Sequence, residues 1–245
     1  MTSSSYIRYY MRLSLYLAIM CLCAIVGAPV TAAMAVVGRR FEAGRIVTRS
    51  FYHIITLVLG LRIEFEGAEH LATQPAVLML NHQSVLDMWL LGSVLPHQAS
   101  VMAKKSLQWS PLGPVLFLSG SILVERGSGP RAVASIRAAG ALLRKRGVSL
   151  VVFPEGTRNS TRAPSLLPFK KGGFHMAVQS GLPIVPTVCE NYSHLYRRGV
   201  FESGTLRVRV LPPIQTADLG AEDVPALTAR VQEQMLEAVR EISHA

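Results

Sequence analysis

Long apolar runs at the N-terminus give way to shorter ones that alternate with polar loops. Residues 13–37 carry no charged side chain over 25 positions, which is long enough for a helix of about 37 Å. Gly27 and Pro29 lie inside this run and predict a bend or break in the helix. A second apolar stretch, residues 51–61, is too short to cross a bilayer, and it predicts a helix that lies in, or dips into, a membrane interface.

The N-terminal run has two interpretations. A cleaved signal peptide would use Arg8 and Arg12 as its basic end, but the run is longer than the usual apolar core of a signal and is followed at once by Arg39 and Arg40. We therefore expect it to remain as a membrane anchor. If it spans the bilayer, the arginines after it outnumber those before it, which predicts a cytoplasmic location for the rest of the chain. A helix in one leaflet leaves the same part of the chain in the cytoplasm.

Beyond residues 62–70, where charged residues return, the pattern predicts alternating strands and helices. The predicted strands are residues 76–80, 99–103, 121–124, 149–153, 184–188 and 205–211, and the predicted helices are 84–95, 111–119, 130–146, 172–180 and 222–242. Such alternation is typical of an α/β fold, here a single mixed sheet with helices on both faces. We expect membrane-anchoring helices at residues 1–62 and one α/β domain at residues 63–245.

Composition narrows the partners that the chain can bind. It has 245 residues, 50% of them apolar, and a formal net charge of +10. Such a charge suits nucleic acid, an anionic membrane surface or an anionic substrate. Nucleic acid is the poorer choice, because the basic residues are not interleaved with aromatic ones. An anionic membrane surface fits better. The three cysteines and seven histidines show neither disulfide nor metal-ligand spacing, so we expect no metal site.

Candidate chemistry begins where the strand at residues 76–80 ends. Asn81 and His82 follow it directly, and Asp87 stands five residues after His82, at the strand end where α/β sheets bind ligands. A neutral imidazole can take a proton from a hydroxyl near pH 7, and Asp87 can orient its ring. The chain has no obvious serine nucleophile, so the attacking hydroxyl would belong to the substrate. Alternatively, His82 and Asp87 cap the helix that starts near Ser84.

Asn81 has two possible roles in this loop. It can steady the loop, or it can donate a hydrogen bond to an oxyanion formed during the reaction. The sequence does not separate these roles.

A second polar loop follows the strand at residues 149–153. Its Gly156-Thr157 turn places Arg158 where a guanidinium and backbone N–H groups can converge on a phosphate. Glu155 would repel a phosphate, so we expect it to anchor Arg158 or a backbone group of the loop. The alternative is an ordinary surface turn with an exposed arginine. Other basic residues that can add positive charge to this edge are Lys104, Lys105, Arg126, Lys170 and Lys171.

Taken in order, these motifs resemble the glycerophospholipid acyltransferase family, most closely the bacterial 1-acyl-glycerol-3-phosphate acyltransferases. The similarity extends over residues 64–215. Its four blocks are the N-H-x4-D motif at Asn81–Asp87, then Gly120–Arg126, Phe153–Arg158 and Leu182–Pro186.

This resemblance implies roles for particular residues. It makes His82 and Asp87 the catalytic pair, and it assigns Pro186, with Asn81, to the acyl or acceptor channel. The residues that it assigns to the phosphate of the acceptor are Lys104, Lys105, Arg126, Glu155, Gly156, Thr157 and Arg158.

The implied reaction moves a fatty acyl group from acyl-CoA or acyl carrier protein to the sn-2 hydroxyl of lysophosphatidic acid, giving phosphatidic acid, without metal or prosthetic group. The implied location is the cytoplasmic membrane, with the catalytic domain on its cytoplasmic face. An acyltransferase for another lysolipid, such as a lyso-ornithine lipid, is an alternative. Hydrolysis by water and a non-catalytic lipid-binding membrane protein are further alternatives.

Overall fold

The computed structural model describes residues 3–124 and 139–244. Its strands are β1 (Leu61–Glu66), β2 (Val77–Leu80), β3 (Ala99–Lys104), β4 (Ile122–Val124), β5 (Ser149–Val152), β6 (Ile184–Cys189), β7 (Tyr196–Arg197), β8 (Val200–Phe201) and β9 (Gly204–Val210). Its α-helices are α1 (Ser3–Val36), α2 (Arg40–Leu59), α3 (Asp87–Val94), α4 (Gly113–Leu118), α5 (139–146), α6 (Gly172–Ser180) and α7 (Val224–His244). Short 3₁₀ helices lie at Ala68–Ala72, Lys105–Trp109 and Ala221–Asp223. Of the helix predicted at residues 130–146, the part before residue 139 lies outside the described residues.

One sheet holds seven strands in the order β1-β9-β6-β2-β5-β3-β4. Strands β6, β2, β5, β3 and β4 are parallel to one another, whereas β9 is antiparallel to β6, and β1 is parallel to β9. The predicted α/β fold with a mixed sheet is therefore confirmed. Because the five parallel strands end at one edge, the loops after them meet there.

Helices cover both faces of this sheet. Alternate residues of the central strands point to opposite faces, so each strand contributes side chains to two cores. Leu78 and Leu80 of β2 belong to a core that includes Phe51 of α2 and Trp89 of α3. Val77 and Met79 belong to a second core, whose helical side chains include Phe174 of α6 and Val231 and Met235 of α7. Each such buried side chain contributes roughly 1.5–3 kcal/mol. The prediction of helices on both faces is confirmed.

Helix α1 is continuous through the position where we predicted a bend or break. Pro29 lies inside the 34-residue helix. Gly27 instead permits close packing, since a Cβ atom there would lie 2.6 Å from Cγ2 of Val47 on α2. Within the described ranges, one helix, at Ser5–Val36, is long and apolar enough to cross a membrane.

Helix α2 is longer than the apolar stretch at residues 51–61 predicts. It begins at Arg40, and Leu61 already belongs to β1. Arg45 and Arg49 interrupt the apolar pattern, but their guanidinium groups donate hydrogen bonds to backbone carbonyls at the end of α3. Cationic side chains are favourable at a helix C-terminus, so these arginines belong to a packed helix.

Candidate active site

The loop after β2 brings His82 and Asp87 together. Nδ1 of His82 lies 2.6 Å from Oδ2 of Asp87. The Asp87 side chain is 1% exposed and that of His82 is 21% exposed. A carboxylate can only accept, so the ring proton belongs on Nδ1 and the lone pair on Nε2. Nε2 has no hydrogen-bond partner among the described residues, and it is therefore available as a base.

Asp87 also holds the loop that carries the histidine. Its Oδ2 accepts hydrogen bonds from the backbone N–H groups of Gln83, at 2.7 Å, and Ser84, at 3.0 Å. Asp87 is the first residue of α3, where negative charge is favourable. Asp87 thus binds the backbone just before α3 and the His82 ring at the same time. Among the described residues no side chain makes a capping hydrogen bond at the start of α3, so the structure does not support the capping alternative.

Tyr192, in the segment after β6, reaches the other oxygen of the aspartate. Its buried hydroxyl donates to Oδ1 of Asp87 at 2.5 Å and lies 2.8 Å from Oγ of Ser84. Burial, together with the charge of Asp87, raises the pKa of Tyr192 well above its ordinary value. Sequence reasoning missed this residue, because a single tyrosine 105 positions beyond Asp87 carries no local signal.

Asn81 ties the same loop to β6. Its Nδ2 donates to the carbonyl of Cys189 at 2.9 Å, and the N–H of Cys189 donates to its Oδ1 at 2.8 Å. The side chain is buried. Of the two roles that the sequence left open, these contacts favour the steadying role. Its assignment to a substrate channel stays a prediction.

Glu155 anchors the second loop to the first through the backbone N–H of His82. Its Oε1 accepts the N–H of His82 at 2.7 Å, and its Oε2 accepts the N–H of Leu167 at 2.8 Å. Burial raises the pKa of this carboxyl, while the two backbone donors oppose the rise. A further bond from the N–H of Asn159 to the carbonyl of His82, at 2.8 Å, joins the two loops. The expectation that Glu155 anchors a backbone group is confirmed, and direct binding of phosphate by Glu155 stays a prediction.

Arg158 stands at the open side of this loop. Gly156 makes the turn with a φ of 68°, in the left-handed region that suits glycine, and Thr157 and Arg158 are exposed. Burial raises the pKa of Tyr196 to about 12, and the positive charge of Arg158 opposes that rise. The charge of Arg158 therefore acts on Tyr196 of β7.

Helix α1 also reaches the site. The hydroxyl of Tyr16 donates to the carbonyl of Val85 at 2.8 Å, and Val85 lies between His82 and Asp87. The ring of Tyr16 packs edge-on against Phe51 of α2, with centroids 5.3 Å apart. The N-terminal helix thus supports the loop that carries the catalytic candidates.

The remaining predicted residues lie further from His82. Exposed Lys104 closes β3, and Lys105 follows at the same edge; β3 is two strands from β2, or about 10 Å. Pro186 is buried inside the sheet opposite Met79, three residues before Cys189. Arg126 lies outside the described residues. The structure therefore gathers Asn81, His82, Asp87 and the Glu155–Arg158 loop, places both lysines at the same edge, and does not bring Pro186 to it.

The geometry is suited to acid–base chemistry on a hydroxyl next to an anionic group. His82 supplies an oriented base, and exposed Arg158 supplies positive charge on the adjacent loop. In the part of the chain that the structure describes, no three His, Cys, Asp or Glu side chains are grouped as metal ligands.

Comparisons with known proteins agree with this arrangement. A family model described as Acyltransferase matches residues 62–190. The 1-acyl-sn-glycerol-3-phosphate acyltransferase of Saccharomyces cerevisiae is 37% identical over 240 residues, or 97% of this chain and 79% of that protein. The human 1-acyl-sn-glycerol-3-phosphate acyltransferase alpha is 39% identical over 240 residues, or 96% of this chain and 83% of that protein. The enzyme of that name from Salmonella typhimurium is 33% identical over 189 residues, or 76% of each.

A solved structure shares the fold. It is the 1-acyl-sn-glycerophosphate (LPA) acyltransferase PlsC from Thermotoga maritima, with a TM-score of 0.71, 23% identity, and coverage of 97% of this chain and 100% of that one. The family match includes His82, Asp87 and the Glu155–Arg158 loop. On this evidence the chain belongs to the acyltransferase family, which is the family that its N-H-x4-D motif resembles.

Proposed function

We propose that this protein transfers a fatty acyl group from acyl-CoA or acyl carrier protein to the sn-2 hydroxyl of 1-acyl-glycerol-3-phosphate, forming phosphatidic acid. The observation that carries the proposal is the 2.6 Å contact between His82 and Asp87, which leaves Nε2 of His82 as a base. The names of relatives 33–39% identical to this chain support the acceptor.

His82 acts as general base and then as general acid. Nε2 takes the proton of the sn-2 hydroxyl as that oxygen attacks the thioester carbonyl, and Asp87 stabilises the imidazolium that forms. Collapse of the tetrahedral intermediate breaks the carbon–sulfur bond and expels the thiolate. The thiolate takes the proton from Nε2, which restores neutral His82. No metal or prosthetic group enters this sequence.

The acceptor phosphate binds Arg158 in this proposal. A guanidinium can hold a phosphate with two parallel hydrogen bonds, and Arg158 is exposed on the loop that Glu155 ties to His82. Lys104 and Lys105, at the same edge, add positive charge. An acceptor without phosphate would lose these interactions.

The membrane-binding surface of the enzyme, in this proposal, is the exposed apolar side of its N-terminal half. One face of α1 is buried against the protein along most of its length, at Tyr9, Tyr16 and Thr31. Because this face packs against α2 and the rest of the protein, we infer that α1 lies along one leaflet. Large apolar side chains exposed on α1 and α2 include Leu22, Ile25, Val26, Val30, Leu57 and Val58.

A second apolar surface extends this membrane-binding surface beside the active-site edge. Trp109 is 85% exposed and Phe117 is 68% exposed, and α4, which contains Phe117, packs against α1. Arg40, at the start of α2, donates to the carbonyl of Phe117 at 2.9 Å. An aromatic side chain next to lysines is typical of a membrane interface. We propose the cytoplasmic face of the cytoplasmic membrane, where anionic lipid attracts a chain of net charge +10.

An acceptor panel tests the reaction. Membranes that contain the protein receive labelled acyl-CoA or acyl carrier protein with lysophosphatidic acid, lyso-ornithine lipid or lysophosphatidylcholine. We expect labelled phosphatidic acid, reduced at least roughly a hundredfold in His82→Ala because the general base is lost. Product only from an acceptor without a free phosphate would overturn the substrate, and released fatty acid would indicate hydrolysis. No product from any acceptor would favour a lipid-binding protein.

Tryptophan fluorescence tests the membrane-binding surface. The sequence has two tryptophans, so each can be observed alone after the other is replaced. Trp89→Phe leaves the exposed Trp109, and Trp109→Phe leaves Trp89, which is 1% exposed. Both proteins are reconstituted into anionic vesicles whose acyl chains carry bromine. We expect strong quenching and a blue-shifted emission for Trp109 and much weaker quenching for Trp89. If Trp109 kept the emission wavelength of a tryptophan in water and were quenched by acrylamide, this surface would not bind the membrane.

A further inference from the structure

Tyr192 contacts the catalytic aspartate but has no part in the reaction as proposed above. We propose that Tyr192 is a positioning residue, which acts through Asp87 to set both the orientation and the basicity of His82. The inference rests on the proposed function. It concerns a side chain that lies outside the four sequence blocks and is contributed by the segment after β6.

The two oxygens of Asp87 are held differently. Oδ2 accepts from Nδ1 of His82 and from two backbone N–H groups. Oδ1 accepts from the hydroxyl of Tyr192 at 2.5 Å, and no other donor reaches it among the described residues. Without that hydroxyl, a buried carboxylate oxygen would lack a protein partner, which is costly at a buried position. The carboxylate would then be held through Oδ2 alone, which still meets the ring, and its orientation would be less well fixed.

The proton order along this network is fixed by what each group can do. Asp87 can only accept, so the one proton of Tyr192 points to Oδ1, and the hydroxyl of Ser84 donates to the oxygen of Tyr192 at 2.8 Å. Burial and the charge of Asp87 raise the pKa of Tyr192, so it remains protonated during turnover. Ser84, Tyr192, Asp87 and His82 thus form one chain of hydrogen bonds.

This chain predicts a direction of change for His82. A donor on Oδ1 withdraws charge from the carboxylate that stabilises the imidazolium. Removing the donor strengthens that stabilisation, and a stronger donor weakens it. Other described titratable groups that interact electrostatically with Asp87 or His82 include Tyr16, Glu155 and Cys189. These groups are the same in every variant at position 192. A shift of the kcat–pH profile would therefore be caused by the change at Tyr192.

The test is acyl transfer to lysophosphatidic acid by purified Tyr192→Phe over a range of pH. We expect kcat to fall roughly tenfold or more, since a hydrogen bond to a charged group is lost, with the acceptor KM within about twofold. The acid limb of the kcat profile should move to higher pH by roughly half a unit or more. Replacing Tyr192 by 3-fluorotyrosine keeps the shape and makes the phenol a stronger donor. It should move the limb to lower pH, and it keeps the proposal testable if Tyr192→Phe does not fold.

Two controls separate positioning from a merely structural role. Tyr52→Phe removes a hydroxyl from a ring that stacks on Trp89 instead of the catalytic loop, and it should leave the pH profile unchanged. In an Asp87→Asn background, Tyr192→Phe should lower kcat less than twofold further, because its effect passes through Asp87. The proposal would be overturned if the acid limb stayed in place in both position-192 variants. It would also be overturned if Tyr192→Phe lowered kcat equally in the wild-type and Asp87→Asn backgrounds. Wild-type protein without acyl transfer would instead refute the proposed function itself.

Discussion

Two residues of the loop after β5 lie three positions apart and have different surroundings. Glu155 is buried, and both of its oxygens accept backbone N–H groups. Arg158 is exposed. The first can hold the loop against the base, and the second can meet a ligand from solution. Changes at the two positions should therefore affect different properties of the enzyme.

Arg158→Ala should raise the KM for lysophosphatidic acid about tenfold or more and change kcat only a few-fold. The reason is that a charge-assisted contact to the phosphate is lost while His82 and Asp87 stay in place. Steady-state kinetics with acceptor concentration varied would measure this. Arg162→Ala is the matched control, since Arg162 is also exposed and lies four residues further on. Equal effects of the two substitutions would point to a general loss of positive charge.

The part of the site that could be predicted from the sequence is the part formed by near neighbours along the chain. His82 and Asp87 share one loop, so spacing alone suggests their contact. The contact of Asn81 with Cys189 spans 108 positions, and that of Asp87 with Tyr192 spans 105. Such pairs depend on which strands lie side by side in the sheet, and no local pattern encodes that order.

At the scale of elements, α2 shows why the apolar pattern underestimated a helix. Arg45 and Arg49 read as a polar interruption, yet their charges meet carbonyls at the end of α3. Only the packing of α2 against α3 gives the arginines this role. The two helices also approach closely at Gly92, where a Cβ atom would lie 2.2 Å from the carbonyl oxygen of Thr48.

Gly92→Ala should therefore lower the free energy of unfolding by about 1–3 kcal/mol, because an added methyl group meets backbone that cannot move aside cheaply. Turnover should fall as well, since α3 begins with Asp87. Thermal unfolding in detergent and kcat would measure both. Gly140→Ala on α5 is the control, as its nearest contact would be an ordinary 3.6 Å, and it should be neutral or stabilise the protein by up to about 1 kcal/mol. If Gly92→Ala kept the stability and kcat of the wild type, α2 and α3 would be able to move apart without affecting either.

For the whole molecule, the question is whether the N-terminal helices are an anchor or part of the fold. The division into residues 1–62 and 63–245 treats them as an anchor, and it stays a prediction. However, Tyr9, Tyr16 and Ile19 of α1 share a core with Leu78 and Leu80 of β2. Burying three such side chains contributes on the order of 5–9 kcal/mol, which is comparable with the total stability of a typical domain, roughly 5–15 kcal/mol.

A chain that starts at residue 39 should therefore lose its fold as well as its membrane attachment, and limited proteolysis in detergent should degrade it much faster than the full chain. The matched variant keeps α1 but replaces Leu22, Ile25 and Val26, which are exposed, by serine. It should resist protease like the wild type and bind vesicles more weakly. Because one variant removes the buried face and the other only the exposed face, the pair separates the two roles of the helix. A truncated chain that resisted protease and retained acyl transfer would show that α1 serves only as an anchor.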